Sequence, residues 1–256
     1  MKLFASDYDG TLKVDGAVSD ADREAVQRWQ AEGNIFVIDT GRSLESIRQE
    51  THTWGLSPDY YITNNGGMVF AGDSTELFSS SIDPVMSVDI MYIAHAVGHV
   101  VSYVVNDGIW RHRIIVDKDA VDTRYPNLEP DMKEEEVMDL PRHAQIVISM
   151  TSMEEARALA ERINAHFPDK VAAYANRYVV DIVPYGMSKA TGLEFLCEKL
   201  GVPAEDVYTA GDADNDIPLL HYGVHGTCMA ASPEDVRKHA KAVCATVAEL
   251  LGKIDR

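Results

Sequence analysis

Cysteine is scarce in this chain: Cys197, Cys228 and Cys244 are the only three in 256 residues, far apart and without a CxxC pair. An odd, dispersed set argues against a disulfide framework or a zinc ribbon, and the apolar neighbours of Cys197 and Cys244 mark these two as buried thiols. Positive charge is short as well. Lys and Arg number 23 against 41 Asp and Glu, a formal charge of −18, so the chain lacks overall the basic footprint that nucleic acids and anionic membranes require. The aromatic residues are scattered with no basic stripe, which leaves no stacking platform for single strands. No run approaches the ~20 apolar residues of a membrane span, and Met1-Lys2 leads straight into an apolar segment without a signal-peptide pattern, which makes the cytoplasm the expected location. Neither GxGxxG nor a Gly-Lys phosphate loop occurs. There is no internal repeat and no low-complexity linker. What remains is a globular chain, 46% hydrophobic, long enough for one large domain or two modest ones.

The chain is organised around its opening, Lys2-Leu3-Phe4-Ala5-Ser6-Asp7-Tyr8-Asp9-Gly10-Thr11-Leu12, an apolar run that delivers two carboxylates into a glycine turn. In an extended segment residues two apart point the same way. Asp7 and Asp9 are therefore expected to face one small volume at the strand's carboxyl end, where open parallel sheets bind ligands. Two anions that close repel unless a cation joins them, and Mg²⁺, a hard ion taking oxygen ligands, leaves room for waters and a substrate phosphate.

Ser19 and Asp22 form a capping pattern before the stripe Ala21, Ala25, Val26 and Trp29, with Gly33 as the stop. Ile35 to Ile38 is a continuous apolar run suited to a strand covered on both faces, and Leu44, Ile47 and Trp54 suggest a second helix. Tyr60 to Thr63 and Met68 to Phe70 flank Asn64-Asn65-Gly66-Gly67, a hairpin or tight-loop signal. This βαβαβ order predicts a parallel sheet with helices on its faces. The pattern changes near Ile82. A helix from Asp83-Pro84 to Val97, strands around Asn106-Asp107-Gly108, an acidic stretch with Glu134-Glu135-Glu136 on a solvated face, a strand over Gln145 to Met150, a helix capped by Ser152, and two further strands read as an inserted α+β module. The βα alternation resumes at Ser188. Leu193, Leu196, Cys197 and Leu200 fall at helical spacing, Val207 to Ala210 is a strand, and further strands are expected at Cys228 to Ala230 and Ala242 to Cys244. The fold class expected is α/β, a Rossmann-like parallel-sheet core over residues 1–81 and 186–256 with an inserted α+β cap over 82–185, closing over the site.

Four blocks follow strand-like segments: Asp7 with Asp9, Thr40-Gly41-Arg42, Lys189 at the start of a helix, and Asp212 with Asp216. Strand ends on one side of a parallel sheet converge. With DxDGT first, a Thr after the second strand, a Lys and a late GDxxND, the sequence resembles the haloacid dehalogenase-like (HAD) phosphohydrolase superfamily. VIDTGR, NNGG, the long insert, VPYGMSKATGL and GDADNDIPLL resemble more narrowly its Cof-type branch of sugar-phosphate phosphatases, over nearly the whole chain.

The resemblance implies a Mg²⁺-dependent phosphatase, and phosphoryl transfer, which is mostly positioning and charge neutralisation, supplies the roles. Asp7 is the expected nucleophile, forming an aspartyl-phosphate. Asp9 is the expected acid toward the leaving oxygen and base toward water, a function the dehalogenase branch does not use. Mg²⁺ is expected on Asp7, the backbone carbonyl of Asp9 and Asp212, with Asp216 and Asn215 in direct or outer support. The Thr40 hydroxyl, the Gly41 amide, Arg42, Lys189 and Asn215 are the candidate phosphate ligands. Asn65, Gly66, Asn176, Arg177 and the Arg111 to Arg113 stretch are the candidates for reading the substrate, expected to be a small phosphorylated metabolite, with no protein partner indicated. Two other readings stay open: a sugar-phosphate mutase or phosphotransferase, and a non-catalytic phospho-acceptor module, against which the cap and Asp9 argue.

Overall fold

The computed structural model describes residues 1–254. The chain divides into two compact units, one formed by Met1–Phe78 with the residues from Ser188 onward, the other by Ser79–Met187.

In the first unit the chain runs β1 (Leu3–Ser6), α1 (Asp20–Ala31), β2 (Ile35–Asp39), α2 (Leu44–Thr53), β3 (Tyr60–Thr63), β4 (Met68–Ala71) and β5 (Glu76–Ser79). After the insertion come α5 (Lys189–Leu200), β11 (Val207–Gly211), α6 (Ile217–His221), β12 (His225–Met229), α7 (Glu234–Arg237), β13 (Ala242–Cys244) and α8 (Val247–Ile254). The sheet order is β13-β12-β11-β1-β2-β3-β4-β5. From β13 to β3 the pairing is parallel, and β4 turns back antiparallel on β3. The strand order therefore departs in opposite directions from β1, to β2 on one side and to β11 on the other, and this reversal opens a crevice at the carboxyl ends. β1 is covered on both faces, with Leu3, Phe4 and Ala5 inaccessible, as its unbroken apolar run requires. Ser19 caps α1 by accepting from the Asp22 amide at 3.1 Å, and Ala25, Val26 and Trp29 bury its inner stripe.

The second unit holds α3 (Pro84–Val97), β6 (Val100–Asn106), β7 (Arg111–Ile115), β8 (Gln145–Met150), α4 (Met153–His166), β9 (Val171–Asn176) and β10 (Val179–Pro184). Its sheet, β7-β6-β8-β10-β9, is antiparallel throughout. Tyr103, Val105, Ile146, Ile148, Val180 and Ile182 share one apolar core with Ile90, Met91 and Ala94 of α3 and Leu159 and Ile163 of α4. On the other face Val104, Val147 and Val179 meet Tyr125 and Leu128 of the long β7–β8 connection.

Two local expectations change. β1 ends at Ser6, so the alternation that was to bring Asp7 and Asp9 to one side does not reach them: Tyr8 to Leu12 lie in turns or an isolated bridge. The short edge strand β5 was not expected, because Glu76-Leu77-Phe78-Ser79 is only half-buried and shows no alternation.

Candidate active site

Each central strand end contributes one polar group. Asp7 follows β1 and continues its pairing, the amide donating to the Ala210 carbonyl at 2.9 Å. Asp212 follows β11, and Thr11 donates to its Oδ1 at 2.9 Å. Gly10 makes the close approach possible: it has φ +97°, and a Cβ there would lie 2.3 Å from Asp212 Oδ2. Lys189 is the first residue of α5, whose cap Ser188 exchanges bonds with Thr191, accepting its amide at 3.3 Å and donating its own amide to Thr191 Oγ1 at 2.8 Å. The β3–β4 turn abuts this cap, with Gly66 at φ +91° and room for no side chain, since a Cβ would sit 1.8 Å from the Ser188 carbonyl oxygen.

The result is a buried cluster of three carboxylates and one ammonium. Lys189 Nζ donates to Asp7 Oδ1 at 2.6 Å and to Asp216 Oδ1 at 2.5 Å. Asp216 Oδ2 accepts the amides of Asp212 and Ala213 at 2.9 and 3.0 Å. One carboxylate oxygen from each of Asp7, Asp212 and Asp216 lies within 4.8 Å of the others. Burial pushes the Asp7 carboxyl well above the usual range, opposed by Lys189 and reinforced by Asp216 and Asp212. Burial raises Asp212 too, against the bond from Thr11. Burial works against the charge of Lys189, yet Asp216, Asp7 and Asp39 overcome it and hold the ammonium above its ordinary value. Such an oxygen-only set, crowded with more anions than its one ammonium balances, fits a hard divalent cation.

Around this cluster lies a ring of loop residues. Thr40 and the Asn64-Asn65 turn are stitched together, the Asn65 amide donating to the Thr40 carbonyl at 3.1 Å and the Asn64 amide to the Arg42 carbonyl at 3.0 Å. Asn215 Nδ2 donates to Asn65 Oδ1 at 3.1 Å, and a Cβ on Gly41 would touch the same Asn65 amide at 3.1 Å. Thr40, Gly41, Asn65 and Asn215 thus adjoin one another, while Asn215 spends its amide on Asn65. Asn176 and Arg177 belong to the other unit, exposed at the β9–β10 turn, where Arg177 has φ +53°. Within that unit Arg113 is buried, held by Asp122 at 2.9 Å and donating to the Leu128 carbonyl, which makes it a structural residue of the β7–β8 connection.

Asp9, two residues beyond Asp7, is paired with Arg42. Arg42 grips it with two nitrogens, Nε to Oδ2 at 2.6 Å and Nη2 to Oδ1 at 2.7 Å, a fork that matches a carboxylate. The guanidinium expected on a phosphate is thus engaged by protein groups, since Nη1 also reaches Ser46 and Glu50, each at 3.2 Å.

Sequence reasoning missed Asp39, Glu50 and Thr11. Asp39 closes β2 fully buried with neither carboxylate oxygen hydrogen-bonded, and burial drives its carboxyl well above the usual range, against the pull of Lys189. Its signal was available: a carboxylate ending an otherwise apolar strand. Among the described residues no helix is long and apolar enough to cross a membrane.

Residues 4–252 match the haloacid dehalogenase-like hydrolase family, and the chain belongs to it. The relatives it matches include several named as phosphatases. The 5-amino-6-(5-phospho-D-ribitylamino)uracil phosphatase YitU of Bacillus subtilis is 27% identical over 253 residues, 95% of this chain and 92% of the relative. A HAD/COF-like hydrolase from Plasmodium vivax superposes with a TM-score of 0.86 at 20% identity, covering 100% of this chain and 95% of that one. A HAD subclass IIB sugar phosphatase does so with a TM-score of 0.82 at 22% identity, covering 100% and 99%. HAD phosphatases generally use a divalent metal, and the buried aspartate cluster is of the kind that holds one.

Proposed function

We propose that the protein is a Mg²⁺-dependent phosphomonoesterase that cleaves a small sugar or polyol phosphate through an aspartyl-phosphate on Asp7. The observation that carries this reading is the buried Lys189 ammonium bonded to both Asp7 and Asp216, with Asp212 in the same cluster. Asp7, Asp212 and the Asp9 carbonyl would hold the ion, with Asp216 set behind them by Lys189 and two amides; bound there, it would neutralise the phosphoryl oxygens and orient the substrate.

The protein groups divide the chemistry. An Asp7 oxygen attacks phosphorus as the bond to the leaving oxygen breaks, and Lys189 opposes the burial that disfavours charge on the attacking carboxyl. Asp9 gives its proton to the departing oxygen, then takes one from the water that cleaves the acyl phosphate, so it ends as it began. The Thr40 hydroxyl and Gly41 amide accompany Lys189 at the transferring group. Arg42, forked onto Asp9, acts on the acid rather than on the phosphate. The relatives YitU and YcsE are both named for 5-amino-6-(5-phospho-D-ribitylamino)uracil, a phosphate on a polyol chain, which supports a substrate of that kind.

The test is release of inorganic phosphate from a panel of sugar and polyol phosphates that includes this compound, with rapid-quench trapping of labelled enzyme. Wild-type protein should form and lose label within turnover, and Asp7→Asn should do neither while keeping its fold. Wild-type turnover by Asp7→Asn overturns the assignment.

A further inference from the structure

The grip of Arg42 on Asp9 poses a physical problem. The two side chains are 24% and 43% exposed, and an isolated pair at that exposure is weak and mobile. Arg42 also sits on a long, rotamer-rich stem. An acid that must meet a departing oxygen within a few tenths of an ångström needs firmer support than such a pair supplies.

That support comes from α2. Ser46 and Glu50 follow Arg42 by four and eight residues, one face of a helix, and both reach its Nη1. Four of the five guanidinium N–H groups are therefore assigned: two to Asp9, one to Ser46 and one to Glu50. Glu50 is anchored in turn. Its Oε2 accepts from Lys13 Nζ at 2.7 Å and from the Tyr8 hydroxyl at 3.0 Å. The Tyr8 ring is inaccessible to solvent, and Arg42 and Lys13 lie over it at 5.5 and 5.8 Å from its centroid. Burial raises the Glu50 carboxyl, but Lys13, Arg42 and Tyr8 bring it below its ordinary value, so it stays an anion between two cations. The chain of contacts runs from the buried Tyr8, through Glu50 and Arg42, to Asp9.

We propose that Glu50 is a positioning residue for leaving-group protonation: it fixes the Arg42 guanidinium so that the fork aims the Asp9 carboxyl. This rests on Asp9 being the acid. It touches neither substrate nor phosphoryl, so its loss slows the two steps in which Asp9 moves a proton, and only the first of them, departure, differs between leaving groups. The aryl phosphates separate this from a structural role, because p-nitrophenolate leaves with little help whereas phenolate departs much faster when protonated.

The experiment compares kcat/KM of the full-length enzyme on phenyl phosphate and p-nitrophenyl phosphate for wild type, Glu50→Ala, the isosteric Glu50→Gln and Asp9→Asn. In Glu50→Ala, kcat/KM, which reports the steps up to the aspartyl-phosphate, should fall about tenfold further on phenyl than on p-nitrophenyl phosphate. Glu50→Gln, which keeps an acceptor for Arg42 and the packing of α2, should recover part of that bias. Asp9→Asn should show a larger bias in the same sense. Equal losses on the two substrates in both Glu50 variants, with the bias intact in Asp9→Asn, overturn the role of Glu50. Absence of bias in Asp9→Asn overturns the acid itself and the inference with it.

Discussion

Replacing Lys189 by Met removes the one cation of the buried cluster while keeping length and apolar bulk. The Lys189, Asp7 and Asp216 side chains are 1%, 7% and 1% exposed, so the two carboxylates left behind have little access to water. Breaking a buried pair by deleting one partner costs about 3–5 kcal/mol. Here a single ammonium serves two anions, and the two acceptors repel each other once it is gone, so the upper half of that range is expected at pH 7 in chelator. The pH dependence follows from the direction of the Asp7 shift, which burial drives upward. A carboxyl whose folded pKa lies above its unfolded value binds more protons in the folded state between the two, so stability is lost as pH rises through that window. Without Lys189 the Asp7 value rises further, and the deficit of the variant should shrink as pH falls toward the ordinary carboxylate range. Mg²⁺ should narrow it too, because an ion at 100 times its dissociation constant adds about 2.7 kcal/mol to the folded state and meets less competition once the ammonium is absent. Urea unfolding at pH 7 and pH 5, each with chelator and with Mg²⁺, reads all three effects. A deficit below about 1 kcal/mol at pH 7 in chelator, or one independent of pH, would refute the reasoning.

Chelation should abolish phosphate release and Mg²⁺ should restore it, whereas Ca²⁺, with a larger and looser oxygen shell, should inhibit by misplacing Asp7 for in-line attack; full turnover after exhaustive chelation contradicts the metal assignment. Asp39→Asn removes a buried carboxyl with unbonded oxygens and a raised pKa, so the variant should be more stable than wild type at pH 7 in chelator, with the gain fading toward pH 4 as the wild-type group protonates at less cost; a gain constant with pH, followed by thermal melts, speaks against it. With a formal charge of −18 and cations confined to short range, kcat/KM for a dianionic substrate at saturating Mg²⁺ should stay level or rise from low to physiological salt. A severalfold fall, in stopped assays free of phosphate and sulfate, would reveal a basic rim.

The parts of this site that can be read from sequence share one property: each lies at an element boundary, the end of an apolar strand or the first turn of a helix, that the neighbouring residues mark. Asp7 precedes the Gly10 turn, Thr40 precedes Gly41, Lys189 follows the cap Ser188, and Asp212 follows Gly211, so strand, breaker and polar group are adjacent and the parallel order brings them together. The order of elements is legible for the same reason, since β1 and β2 open on continuous apolar runs, β8 carries Ile146 to Ile148 at its centre, and α1, α4 and α5 carry their caps. What escapes such reading is partner choice across long separations. Strand alternation does not extend past Ser6 to Asp9, and the Asp9 pairing with Arg42, 33 residues away, is not written in the local sequence. Glu50 on an amphipathic helix reads as a solvated charge, and only the folded arrangement shows that Tyr8, Lys13 and Arg42 converge on it. Arg113 looked like a substrate-reading arginine, yet Asp122 buries it. Local punctuation thus specifies where reactive groups emerge from the sheet, while the groups that aim them are selected by packing, and a helix residue eight positions beyond a site arginine becomes visible as its support only when the face of α2 is known.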